Sequence, residues 1–202
     1  FETGAASPWT IYGSTAVSAD AAYKMGGNID QLSTVLDRAN VIENNYATSI
    51  YKIAEGLPIV ASTASMANMT IDETMAALGT ITAKTQETGR KAATALRALI
   101  LNIEGEIGTV IDEETTITKE SVESMADALR KYGNEAVKAA QKTGQLVDPM
   151  EAVRSLAEAY ARGDLTDQGL FDILKTLGGK LRVNQITTLV KNFDTFEEML
   201  NK

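Results

Sequence analysis

Five carboxylates, Glu104, Glu106, Asp112, Glu113 and Glu114, crowd one short stretch. Oxygen-rich runs of this kind suit calcium, which takes six to eight oxygen ligands, but a calcium loop alternates Asp or Asn and closes on a Glu. This run does neither, so it reads as a solvated acidic loop and no metal site is expected. Glu43, Glu55 and Glu73 are the other carboxylates that could do work. Glycoside hydrolysis needs two carboxyl groups at a set separation, one with a raised pKa in a cleft. Nothing but residue type nominates these three, and Glu73 is better placed as a helix cap. Lys180, Arg182 and Lys191 form a local basic patch beside Phe193, a pairing that could hold single-stranded nucleic acid. With 19 basic against 27 acidic residues and a net charge of −8, the chain lacks the basic stripe that phosphate neutralisation requires. Those cations read instead as surface charge and helix C-terminal charge, and nucleic acid is not an expected partner. The chain has no histidine and no cysteine. The commonest general base, the thiolate nucleophile and the usual zinc ligands are therefore all missing. No catalytic, cofactor-binding or metal-binding residue is assigned.

Elements that could position such groups are helical. Of 202 residues, 44% are hydrophobic but only 5% aromatic, so the core must be aliphatic, built where helices approach closely. Apolar runs such as Ala98–Leu101 are far shorter than the roughly 18 residues a membrane span needs. No signal peptide is visible, and an opening on Phe1 rather than Met points to a piece of a longer chain.

Residues 1–17 read as a loosely ordered lead-in, followed by a short helix from Ser18 that Gly26-Gly27 ends. Asn28 can cap a helix carrying Ile29, Leu32, Leu36, Ala39 and Ile42. A helical stretch from Ala47 to Asn68 contains Gly56 and Pro58, and Pro58 predicts a kink or break there. Thr70-Ile-Asp-Glu73 reads as a capping box opening a helix that buries Ile71, Met75, Leu78 and Ile81. Gly89 is expected to stop it before a helix bearing Ala92, Leu96, Leu99, Ile100 and Ile103. Residues 104–117 predict a loop or small hairpin, with Val110 and Ile111 as strand formers. Thr118 caps the next helix, with Val122, Met125, Leu129 and Tyr132 on one face. Asp148-Pro149 opens another through Val153, Leu156, Ala157 and Tyr160, closed by Gly163. Thr166 caps a helix through Leu170, Leu174 and Leu177, ended by Gly178-Gly179. A last clear helix holds Val183, Ile186, Leu189, Val190 and Phe193, and Thr195-Phe-Glu-Glu198 reads as a capping box for a terminal turn.

The reading is an all-α array of about nine short helices. An N-terminal helical lobe would cover 18–103 and a C-terminal one 118–202, with the loop or hairpin between them. Met66, Met69 and Met75, with Ala61, Ala64 and Ala67, give a small, adaptable surface suited to core packing. A homo-oligomer or partner groove is the alternative use of that surface.

The order of several motifs resembles the core region of phage tail tape measure proteins. Asp37-Arg-Ala-Asn-Val-Ile-Glu-Asn-Asn-Tyr-Ala47 precedes Ile53-Ala-Glu-Gly-Leu57, the small-residue run Ala61–Ala67, Thr70-Ile-Asp-Glu-Thr74 and Ala93-Thr-Ala-Leu-Arg-Ala-Leu99. Leu177-Gly-Gly-Lys-Leu-Arg-Val-Asn-Gln-Ile186 and Lys191-Asn-Phe-Asp194 follow, so the likeness spans roughly 28–202, most loosely over Lys119–Leu146. The resemblance implies a non-enzymatic structural and assembly segment that takes part in setting tail length. It would reside in the virion tail, and in the host cytoplasm during assembly. The implied partners are tail tube protein, tail assembly chaperones and tail tip proteins. The rival readings are a tail-associated peptidoglycan hydrolase domain and an unrelated helical adaptor. A ruler is simplest as one continuous helix, and 202 residues at 1.5 Å each would span about 300 Å, against a radius of gyration near 17 Å when compact. Fifteen glycines and three prolines, with no sustained heptad seam, favour the compact form for the free segment.

Overall fold

A computed structural model describes residues 29–113, 115–176 and 182–202. The expected lead-in, the helix from Ser18, the Asn28 cap, Glu114, Lys180 and the Gly178-Gly179 stop lie outside the described residues. Four helices come first: α1 (Ile29–Asn45), α2 (Ile50–Met66), α3 (Ile71–Thr85) and α4 (Gly89–Glu104). A two-stranded antiparallel hairpin follows, β1 (Val110–Asp112) with β2 (Thr115–Thr116), Val110 facing Thr116. Six shorter helices complete the fold: α5 (Lys119–Tyr132), α6 (Glu135–Thr143), α7 (Pro149–Ala161), α8 (Asp167–Leu174), α9 (Val183–Lys191) and α10 (Phe193–Leu200). Among the described residues the protein is all-α apart from the hairpin.

Helix α3 is the axis. Every residue from Thr74 to Thr82 is buried, so neighbours cover it on all sides rather than along one stripe. Helices α1, α2, α4, α9 and α10 all pack on it. Small side chains make this possible, and the threonines among them bury no unmet hydroxyl. Thr80 and Thr82 donate to the carbonyls of Ala76 and Leu78, one turn back, each at 2.8 Å. Gly79 admits Ile42 of α1 and Met199 of α10, since a Cβ there would sit 3.0 Å from both. One continuous apolar cluster runs from Val35 on α1 to Met199 on α10.

Helices α2 and α4 cross backbone to backbone. A Cβ on Gly89 would lie 1.7 Å from the carbonyl oxygen of Lys52, and one on Gly56 would lie 2.8 Å from the carbonyl oxygen of Gly89. This contact corrects two sequence expectations. Gly89 is the first residue of α4, not the terminator of α3. Helix α3 ends instead at Gln86, left-handed at φ 59°, whose side-chain amide donates to the carbonyls of Ala47 and Ala83. Pro58 does not break α2 either, because the helix continues to Met66 with Leu57 and Val60 fully buried. Tertiary burial around the proline outweighs the lost donor.

Local caps form as read. Thr70 and Glu73 exchange reciprocal bonds in a capping box, and Thr118, Asp148 and Thr166 cap α5, α7 and α8. The terminal capping box does not form. The last predicted helix divides at Asn192, α10 starts at Phe193, and Thr195 lies inside it with its amide bonded to Asp194. Burial of Phe193 and Phe196 side by side, ring centres 4.9 Å apart, fixes that earlier start. Helix α6, between Asn134 as cap and Gly144 at φ 70°, was not anticipated.

Candidate functional site

The candidate catalytic carboxylates do not share a cleft. Glu43 stands on α1. Glu55 on α2 accepts from the Arg90 amide at 3.3 Å, opposite the start of α4, and Glu73 is occupied as the α3 cap. Among the described residues no three acidic, histidine or cysteine groups gather as a metal site.

The acidic stretch is divided between elements. Glu104 ends α4, where partial burial, with Glu106 adding repulsion, holds its carboxyl above the usual glutamate range. Asp112 belongs to the hairpin and pairs with Arg182. Arg182 also donates to the Thr115 hydroxyl, so this guanidinium fastens both hairpin strands to the start of α9. Only 8% of Arg182 is exposed. Of the expected basic patch, Arg182 is an internal tie, while Lys191 is exposed, pairs with Asp167 and stands 5.0 Å over the Tyr160 ring. The Lys191 hydrogen bond, reinforced by the Tyr160 hydroxyl, lowers the Asp167 carboxyl, and the same bond raises Lys191. Phe193 is buried, with Arg154 packed 5.3 Å from its ring centre.

Of the methionine and alanine surface, Ala61, Ala64, Ala67, Met69 and Met75 are core, while Met66 is 65% exposed. Other exposed apolar side chains are Tyr51, Ile107, Val110, Leu146 and Phe171.

A groove of about 600 Å³ lies between α5, α6 and the end of α4, and a shallower one of about 540 Å³ lies between α5 and α8. The α5 wall of the larger groove is the stripe Val122, Met125, Ala126 and Leu129, at helical spacing. Its α6 wall is Lys138, Gln141 and Lys142, on one face of that helix. Gln141 donates to the Ala126 carbonyl at 3.4 Å, bridging the two walls. Helix α6 holds its place with little apolar anchorage, Val137 being its one buried residue. The sequence placed Val122, Met125, Leu129 and Tyr132 on one face of this helix, and Met125 and Leu129 are core. The missed signal is α6 itself, legible in Asn134 as a cap and Gly144 as a stop.

The described residues thus form short helices packed through a backbone-close crossing, with a groove between α5 and α6 open to solvent. Residues 8–179 match the family described as phage-related minor tail protein, and the chain belongs to that family. It is thus a phage tail protein of the virion, from a family that is generally structural, acting among other tail components. Neither the curated proteins nor the solved structures contain a match to this chain.

Proposed function

We propose that this chain is a segment of a tail tape measure protein, one that helps set tail length and works through helix–helix contacts without making or breaking bonds. Membership of the phage tail family over residues 8–179 is the observation that supports it. The order of motifs from Asp37 to Asp194, which resembles that of tape measure proteins, supports the narrower reading. Tail tube protein, assembly chaperones and tail tip proteins are the partners this role requires, met in the host cytoplasm before the tail is complete.

The test is an in-frame deletion of this segment from the parent tail gene, with tail lengths measured by electron microscopy. Intact but shorter tails are expected. Intact tails of unchanged length would remove the length-setting role. Incubating the segment with peptidoglycan tests the non-enzymatic part, and release of muropeptides would overturn it.

A further inference from the structure

We propose that the groove between α5 and α6 is a docking site for an acidic amphipathic helix of a partner protein. Helix-in-groove recognition needs an apolar floor at helical spacing, and on α5 part-exposed Val122 and Ala126 supply it, one turn apart, with Met125 and Leu129 buried behind them. Ile103 and the exposed Leu146 extend the floor at either side. The volume, about 600 Å³, lies within the range of sites that take several apolar side chains.

Charge selects the occupant. Four charged residues line the groove: Arg130, Lys138, Lys142 and Glu104. Arg130 is paired with Asp127, whereas neither Lys138 nor Lys142 forms an ion pair among the described residues. The two lysines lie one turn apart along the α6 wall, a cationic lip on a chain whose net charge is −8. A helix with leucine-like side chains on one face and Asp or Glu along the flank toward α6 answers both walls. Glu104, at the α4 side, marks where the partner carries no acid. A second copy of this chain fits less well. Of its exposed helical aromatics, Phe171 on α8 is flanked by Asp167 and Asp172, which are already paired with Lys191 and Lys175, and Tyr51 on α2 is followed by Lys52. The proposal depends on the tail-assembly reading only for the premise that the chain works through helix contacts.

The experiment measures fluorescence anisotropy of two labelled synthetic peptides of about three turns against the full 202-residue chain. Both carry leucines at i, i+3, i+4 and i+7; one has glutamates along a flank, the other lysines. The glutamate peptide is expected to bind roughly tenfold more tightly than the lysine peptide. Lys138 and Lys142 are exposed, so K138E/K142E should keep the fold by circular dichroism and reverse the preference. V122E should weaken both peptides. Equal binding of the two peptides, binding of neither, or a preference untouched by K138E/K142E overturns the proposal. Self-association of the chain that K138E/K142E abolishes would assign the groove to a second copy and overturn it too. The peptide result does not depend on tail length, so a failed deletion experiment and a failed docking experiment are told apart.

Discussion

The α2–α4 crossing makes the sharpest demand on a single residue, and Gly89→Ala tests it. The added Cβ would stand 1.7 Å from the Lys52 carbonyl oxygen and 2.7 Å from its carbonyl carbon, where real contacts stay above 3.0 Å. Both obstacles are backbone, so no rotamer change relieves them, and the two helices must part by more than about 1 Å. That movement loosens Ile53, Leu57 and Val60 of α2, which are essentially inaccessible to solvent. Overpacking of a core costs about 1–3 kcal/mol, sometimes more. The ordinary gain from replacing a helical glycine with alanine, up to about 1 kcal/mol, offsets part of this. A net loss of at least about 2 kcal/mol is expected, equivalent to a fall in Tm of about 4–8 °C for a domain of this size. Urea unfolding followed by far-ultraviolet circular dichroism measures it. Gly169→Ala is the control, because its Cβ would meet only side-chain atoms, Leu165 Cδ1 at 3.1 Å and Thr166 Oγ1 at 3.4 Å, and it should change stability by less than about 1 kcal/mol. An alanine at position 89 that leaves the urea midpoint unchanged or raises it would refute the close crossing.

Thr70→Ala removes the accepting hydroxyl of the α3 capping box and should cost about 1 kcal/mol in the same unfolding assay. Arg182→Met cuts the tie between α9 and the hairpin, so amide hydrogens of residues 110–116 should exchange faster while those of α3 keep their protection. Glu104 binds its proton more tightly when folded than when unfolded, because burial and Glu106 disfavour its charge. Its ionisation therefore works against folding at neutral pH, and that penalty fades as pH falls through its raised pKa toward the ordinary glutamate value. Glu104→Gln should then raise Tm at neutral pH, and its advantage over the parent chain should shrink in acid; an advantage that grows in acid would contradict the assigned burial.

What sequence conveyed about this fold was what local chemistry decides. Thr70, Thr118, Asp148 and Thr166 were readable as caps because each closes a hydrogen bond with an amide two or three residues on. The hairpin was readable from glycines and β-branched residues. Gly89 and Arg182 were misread because a distant element settles each one. Gly89 follows a helix, as a terminator would, yet its role is to admit the Lys52 carbonyl of α2. Arg182 belongs to a basic run in sequence, yet its partners lie about 70 residues earlier in the hairpin. Burial of α3 on all sides was hidden too, since Thr80 and Thr82 look like surface residues until their hydroxyls are seen closing on their own helix. The groove was not legible because one helical stripe on α5 holds both core residues, Met125 and Leu129, and part-exposed ones, Val122 and Ala126, and only the placement of α6 separates them.

If the chain is a tape measure segment, as proposed, its compact fold bears directly on how it could measure length. The longest described helices have 17 residues, about 26 Å at 1.5 Å per residue. Joining α2, α3 and α4 into one rod would require Asn68 at φ 63° and Gln86 at φ 59° to turn helical, and would strip α3 of every neighbour. Domains of this kind are held by only about 5–15 kcal/mol, however, a sum that contacts along a tail tube could offset. The free and assembled chains can therefore differ, and the deletion experiment reads which form the tail contains. If all 202 residues run as helix in the tube, removing them shortens the tail by about 300 Å. If the helical globule persists, the loss cannot exceed its own diameter, several-fold less. The described core, continuous from α1 to α10, favours the smaller figure. A shortening near 300 Å would mean that assembly unpacks α3.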